Sequence, residues 1–209
     1  MENSLTYKIR KIDKKLYFDN TEVIQYHIEY LIFISPNKNF QIINDQNRNY
    51  AKILQNYIED TMYNNAVQAY SNGNLDLPYQ FENKITVTLN QNGIFSGYQE
   101  TYILMGGSQG STSRAAFYYN EQGDSYSLCS FVSRKDCITC ITSNIVQQIQ
   151  NSIQENQYFP NYAILVPQLW HPEDFYVTTE GVVAYFAPYK IGPYTLGLPS
   201  FTIPFSACQ

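Results

Sequence analysis

Lys84-Ile85-Thr86-Val87-Thr88-Leu89-Asn90-Gln91-Asn92-Gly93-Ile94-Phe95 is the stretch on which the fold class turns. Two apolar runs flank Asn92-Gly93. That pair reaches the positive φ needed at both central positions of a tight hairpin turn, so the chain folds back on itself here. A two-residue link joins only antiparallel neighbours, whereas parallel strands need a long crossover. Downstream, the second arm continues through Tyr98 and Tyr102-Ile103-Leu104-Met105 into Gly106-Gly107-Ser108-Gln109-Gly110-Ser111, a flexible loop. Ala115-Ala116-Phe117-Tyr118-Tyr119 and Tyr126-Ser127-Leu128 flank Asn120-Glu121-Gln122-Gly123-Asp124, which predicts another hairpin. Asp174-Phe175-Tyr176-Val177-Thr178 and Val182-Val183-Ala184-Tyr185-Phe186, joined by Thr179-Glu180-Gly181, predict a third. Phe201-Thr202-Ile203-Pro204-Phe205 closes the chain as a strand.

Upstream, Tyr7 to Ile12 alternates at period two, and Val23 to Tyr30 alternates before running into Leu31-Ile32-Phe33-Ile34; both are strand patterns. Ser35-Pro36-Asn37 breaks the second. Tyr50, Ile53, Leu54, Tyr57, Ile58 and Met62 then recur at three- and four-residue steps, one face of a helix with Asn44-Asp45 as caps and Gly73 as its stop. A second amphipathic helix is expected from Lys135 to Gln154, with Ile138, Ile141, Ile145, Val146, Ile149 and Ile153 as its stripe. Strands with two segregated helices predict an α+β fold: antiparallel sheets with two main amphipathic helices.

The 209 residues suit one domain or two small ones, with 44% hydrophobic, 15% charged and 16% aromatic residues. That balance is the opposite of a disordered chain's. A net charge of −5 lacks the basic footprint of a nucleic-acid binder. Apolar stretches such as Tyr30 to Ile34 are far short of the roughly 18 residues of a membrane span. Met1-Glu2-Asn3-Ser4 has no basic start followed by an apolar run, so it does not read as a signal peptide.

Cys137-Ile138-Thr139-Cys140 has redox spacing but opens a helix without a preceding βαβ unit. The pair reads as small apolar side chains, as a redox or disulfide pair, or as part of a metal site needing two further ligands from Cys129, Cys208, His27 or His171. No HExxH, P-loop or GxGxxG is present; Gly106-Gly107-Ser108-Gln109-Gly110 spells G-x-S-x-G, but a strand pattern rather than the helix of a nucleophile elbow follows it, and it lacks the Lys-Ser/Thr that would make it a phosphate cradle. His27 lies in an apolar strand and reads as a core or sheet-surface residue; His171, beside Trp170 and Pro172, reads as an exposed residue or a general base. Glu59-Asp60 reads as a solvated helix face. The expected binding residues are Tyr185, Pro188, Tyr189, Pro193 and Tyr194, where prolines stiffen a run of tyrosines that offer contact area at low entropic cost. The alternative is that they cover the end of a sheet.

The Phe175 to Phe186 hairpin, followed by Pro188-Tyr189-Lys190-Ile191-Gly192-Pro193-Tyr194 and Gly197-Leu198-Pro199-Ser200-Phe201-Thr202-Ile203-Pro204, resembles the DUF3298 family. Phe117-Tyr118-Tyr119-Asn120, Gly123, Ser127-Leu128 and Phe131 resemble that family's segment before its second helix. Gly106–Gly110 stands where many relatives carry Gly-Gly-Ala-His, with Ser108 and Gln109 in place of Ala and His. The N-terminal third resembles the companion DUF4163 region, which sets a DUF4163-like part at residues 1–100 and a DUF3298-like part at 101–209. The resemblance implies an extracytoplasmic, non-catalytic module without cofactor, of the kind found in lysozyme-sensing anti-sigma factors and beside peptidoglycan deacetylases, with a protein or peptidoglycan as partner. If Met1 is the true start, the expectation becomes a cytoplasmic interaction protein. A thiol-dependent enzyme using Cys137 and Cys140 is the remaining alternative.

Overall fold

The computed structural model describes residues 4–73, 76–132 and 136–208; Lys135, the expected start of the second helix, and Met1-Glu2-Asn3 lie outside them. Strand β1 (Tyr7–Phe18) runs well past Ile12 and pairs antiparallel with β2 (Thr21–Phe33). Their turn is Asp19-Asn20, with φ 47° and 63°. Asp and Asn are the non-glycine residues that best tolerate this left-handed backbone. Asp13-Lys14-Lys15 hides the strand from a hydrophobic alternation, because β1 exposes much of its length.

Helix α1 (Lys38–Tyr57) begins at Asn37, whose Oδ1 accepts the Asn39 N–H at 2.8 Å. The expected caps Asn44 and Asp45 therefore lie inside the helix. The buried Asn44 faces β2 instead, accepting the Phe33 N–H at 2.8 Å and donating to the Phe33 carbonyl at 2.9 Å. A π turn (Ile58–Met62) links α1 to α2 (Tyr63–Ser71), and Gly73, at φ 80°, ends the run. Ala51, Leu54, Ile58, Met62 and Ala66 pack in the core, while Tyr50, Ile53 and Tyr57 of the expected stripe are exposed. From Leu54 on, burial at every fourth residue overshoots a 3.6-residue turn by about 40° a step. The wider π turn takes up that overshoot and returns the row to the sheet.

Strand β3 (Tyr79–Gln91) pairs parallel with β2 over Ile24–Ile28, with the helices as the crossover. The sheets are mostly antiparallel, and this pair departs from the expectation because a long helical connection reverses the chain twice. Beyond Ile28, side chains meet the β2 backbone. Asn83 donates to the Glu29 carbonyl at 2.8 Å and Asn47 to that of Leu31 at 3.0 Å. The hairpin to β4 (Ile94–Leu104) turns on Asn92 and Gly93 at φ 54° and 77°. β5 (Ser111–Tyr119) completes the order β1-β2-β3-β4-β5. The arm expected at Tyr126–Leu128 reduces to one bridge, Tyr119 to Ser125; Asn120 Oδ1 takes the N–H groups of Gln122 and Asp124 and closes a turn rather than a ladder.

The chain divides into an N-terminal unit, Leu5–Thr86 with Gln99–Thr112, and a C-terminal unit built chiefly from Val87–Tyr98 and Ser113–Gln209. The boundary expected at residues 100/101 falls inside β4. In the C-terminal unit, helix α3 (Cys137–Gln150) buries Ile141, Ile145 and Ile149, leaves Ile138 exposed and ends before Ile153. A short helix, α4 (Tyr162–Leu169), follows; its Pro167 and weak amphipathicity gave the sequence no helical stripe. The strands β6 (Phe175–Val177), β7 (Gly181–Tyr185) and β8 (Ser200–Pro204) form an antiparallel sheet in that order. Thr88 and Ser96 side chains hydrogen-bond the Val177 carbonyl and N–H, at 2.6 and 2.8 Å.

Cys137 and Cys140 do not pair with each other. Cys137 is bonded to Cys129 and Cys140 to Cys208, so the first turn of α3 is fastened on two sides. On a helix these two side chains lie one turn apart on neighbouring lines, each aimed at a different segment.

Candidate functional site

The five expected binding residues leave β7 in two directions. Tyr185 is the last residue of the strand and only 3% exposed. Its hydroxyl donates to the Arg114 carbonyl at 3.4 Å, and the Arg114 guanidinium carbon sits 5.4 Å from its ring centroid, 4.2 Å from that of Tyr98 and 5.8 Å from that of Tyr176. Burial, together with the Asp174 charge, pushes the Tyr185 phenol above its ordinary range. Tyr185 thus belongs to a stacked Arg–Tyr cluster within the C-terminal unit.

The chain then leaves the sheet. Pro188 is half-buried, and Tyr189 is 67% exposed with a left-handed backbone, φ 66°. Buried Ile191 anchors the loop, and its carbonyl accepts the Phe159 N–H at 2.9 Å. Gly192 is seated so closely that a Cβ would fall 2.5 Å from the Leu196 side chain and 3.1 Å from the Gln157 carbonyl. Pro193 precedes a single 3₁₀ turn, Tyr194–Leu196, and Tyr194 is 40% exposed. The Phe159 ring stands edge-on to Tyr189 at 5.5 Å.

Pro193 lines a shallow cleft of about 850 Å³, shared with Leu196, Tyr158, Phe159 and the carboxamides of Gln154 and Asn156. Of the predicted set, Pro193 lines the cleft, Tyr194 follows it in the chain, and Tyr189 meets its wall through Phe159. Tyr185 and Pro188 do not line it. The side chains that sequence reasoning missed come from Gln154-Glu155-Asn156-Gln157-Tyr158-Phe159. Only Gln154 falls in the expected helix; the rest of the run carries no expected element and no expected site, although its amides and the Phe159-Pro160 step mark a loop. Ile153, at its start, is 99% exposed. The surface is aromatic and amide-bearing, made for stacking and neutral hydrogen bonds rather than ion pairing.

No catalytic set assembles around the expected acids and bases. His171 is exposed and its Nδ1 accepts the Glu173 N–H at 3.4 Å; with Cys129 and Cys137 in one disulfide and Cys140 and Cys208 in the other, none of the four offers His171 a thiolate. Asp174, partly buried, has its carboxyl held above the ordinary range by burial, with the nearby His171 opposing and Glu173 adding to the shift. His27 lies on the sheet surface, its Nδ1 2.6 Å from Asp13 and its Nε2 3.2 Å from Glu29. Glu59 is no solvated helix residue: Lys14 at 2.8 Å, Gln55 at 3.0 Å and the Tyr26 hydroxyl all donate to it, holding its carboxyl down at about 2. Among the described residues, no three His, Cys, Asp or Glu side chains gather closely enough to hold a metal ion, and no helix is long and apolar enough to cross a membrane.

Residues 131–206 match the family model described as "Protein of unknown function (DUF3298)", and residues 18–112 match that described as "Deacetylase PdaC". No curated protein matches the chain. Among solved structures, a DUF3298 family member from Bacteroides fragilis superposes with a TM-score of 0.65, covering 99% of this chain and 93% of that one at 13% identity. A DUF3298 family protein from Pseudomonas aeruginosa gives 0.56, with 97% and 92% covered at 16% identity. At such identities the likeness is one of fold. The C-terminal segment, residues 131–206, is thus similar to the DUF3298 domain and follows a segment, residues 18–112, similar to the PdaC model.

Proposed function

We propose that this chain is a non-catalytic binding module that recognises a protein, lysozyme-like in kind, or a cell-wall component at the bacterial envelope. The observation that carries the reading is Tyr189, a large ring 67% exposed on a loop that is tied down on both sides. A rigid exposed aromatic loses little entropy on binding, and Tyr is among the side chains that dominate interface energetics. Exposed Ile153 and Tyr194 add contact area. The family match supports the envelope setting through the deacetylase-named model over residues 18–112.

The test is retention of the purified chain on immobilised lysozyme and on insoluble peptidoglycan, with a Tyr189→Ala/Tyr194→Ala variant alongside. Wild type should be retained on one of the two, and the variant should lose at least about tenfold in affinity, as for a lost aromatic anchor. Absence of wild-type retention on both supports ends this reading.

A further inference from the structure

We propose that the open face of the N-terminal unit is a separate binding site for a neutral, hydroxyl-rich saccharide, with Gln25 and Gln80 as its hydrogen-bonding floor and Tyr102 as its stacking wall. The registers put the groups there. Lys15 stands opposite Gln25 and Gln25 opposite Gln80; Asp13 stands opposite His27 and His27 opposite Glu82. Directly opposed residues in neighbouring strands project from the same face, so these form two polar rows across β1, β2 and β3. The helix-covered face takes their sequence neighbours Ile24, Tyr26 and Phe81 into the core. The rows and Tyr102 line a cleft of about 620 Å³, within the range that holds small ligands.

The charges in the cleft are already matched. Asp13 lies 2.6 Å from His27, Lys15 2.8 Å from Glu22, Lys14 2.8 Å from Glu59 and Glu82 2.6 Å from Lys84. An ionic ligand would have to break these pairs to gain its own. The two carboxamides are different: neither Gln25 nor Gln80 has a side-chain hydrogen bond in the described structure. Side by side they present two carbonyl acceptors and two NH₂ donors, the mixed set that hydroxyl groups satisfy because each hydroxyl both donates and accepts. Tyr102 supplies the apolar surface for the C–H face of a sugar ring. Its ring is held by Gly110, where a Cβ would fall 2.4 Å away, so the wall is set before any ligand arrives.

The inference does not rest on the Tyr189 surface, which lies in the other unit. The test is an NMR titration of the whole chain with chitotetraose and, separately, cellotetraose, which tells whether acetamido groups or hydroxyls alone are read. Binding of either sugar should move the side-chain NH₂ resonances of Gln25 and Gln80. Gln80→Ala should weaken it by about fivefold and Tyr102→Ala by about tenfold, while leaving backbone shifts away from the cleft in place. Gly110→Ala, which displaces the ring without removing it, should weaken binding as well. Tyr189→Ala should leave these titrations unchanged whatever it does to lysozyme or peptidoglycan retention. The proposal is overturned if neither sugar binds at roughly 10 mM, if the shifts map elsewhere, or if tetragalacturonate binds more tightly than both neutral sugars.

Discussion

At the scale of single residues, position in the tertiary structure rewrites the chemistry of side chains that look ordinary in sequence. Glu59 sits beside Asp60 on what reads as a wet helix face, yet it collects three hydrogen bonds and its carboxyl is held down at about 2, first by Lys14, then by Tyr26 and Gln55. Its pKa is lower folded than unfolded, so its stabilisation is complete above the ordinary Glu range near about 4.3 and is lost as pH falls toward the folded value. Glu59→Gln should cost about 1–2 kcal/mol at neutral pH, the lower part of the range for charged hydrogen bonds because the side chain is about one-third exposed. Urea unfolding should show the gap between wild type and variant closing below about pH 4; a gap that stays constant would rule out the linkage. Asp174 carries the opposite sign. Burial raises its carboxyl, so the folded state favours the protonated form, and its contribution is present below the unfolded pKa and lost as pH rises through the folded one. Asp174→Asn should therefore raise the melting temperature at neutral pH and lose that advantage in the acid range, read by calorimetry across pH. In sequence each residue is one of an adjacent carboxylate pair, Glu59-Asp60 and Glu173-Asp174, and pairing does not reveal either effect, because both come from partners distant in the chain or from burial.

At the scale of elements, local chemistry was legible where it is self-contained. The Asn92-Gly93 turn, the Thr179 to Gly181 turn and the Gly73 helix stop each depend on a few adjacent residues, and each is where the pattern put it. The β6–β7–β8 sheet adds a constraint that pattern alone does not carry. A Cβ on Gly181 would lie 2.1 Å from the Ile203 carbonyl, so β7 and β8 approach as they do because residue 181 has no side chain. Gly181→Ala must push these strands apart and should cost about 1–3 kcal/mol, the range for overpacking. Hydrogen exchange should show faster exchange of amides in Val182–Tyr185 and Phe201–Ile203. Unchanged protection there would mean that the strands yield more easily than this geometry implies. The element boundaries that shifted did so because a tertiary partner replaced a local one. Asn44 serves the backbone of β2 rather than a helix end, and the π turn at Ile58–Met62 keeps Ile58, Met62 and Ala66 in the core.

At the scale of the whole molecule, both disulfides lie in the C-terminal unit. Cys140–Cys208 closes a separation of 68 residues, and a loop of that length corresponds to about 4 kcal/mol in the chain-entropy account. A Cys140→Ser/Cys208→Ser variant should lose stability on that order in the C-terminal unit, seen as faster exchange of α3 amides. The buried core around Ile28, Ile58 and Phe81 in the N-terminal unit should keep its protection. The sequence by itself determined the α+β class, the hairpins at Asn92-Gly93 and Thr179 to Gly181, the stripes Ile141-Ile145-Ile149 and Leu54-Ile58-Met62, and the likeness to the DUF3298 domain, because hydrophobic period, turn chemistry and motif order are properties of neighbours along the chain. Only the tertiary structure decided that β2 and β3 run parallel, that Cys137 and Cys140 take different partners, and that Tyr185 stacks under Arg114 while Tyr189 stands in solvent. It alone aligned Lys15, Gln25 and Gln80 across three strands and set Gln154 and Asn156 beside Pro193. Strand order, disulfide pairing and the composition of a cleft depend on which distant segments meet, and that is fixed by the packing of the whole core rather than by any local run of residues.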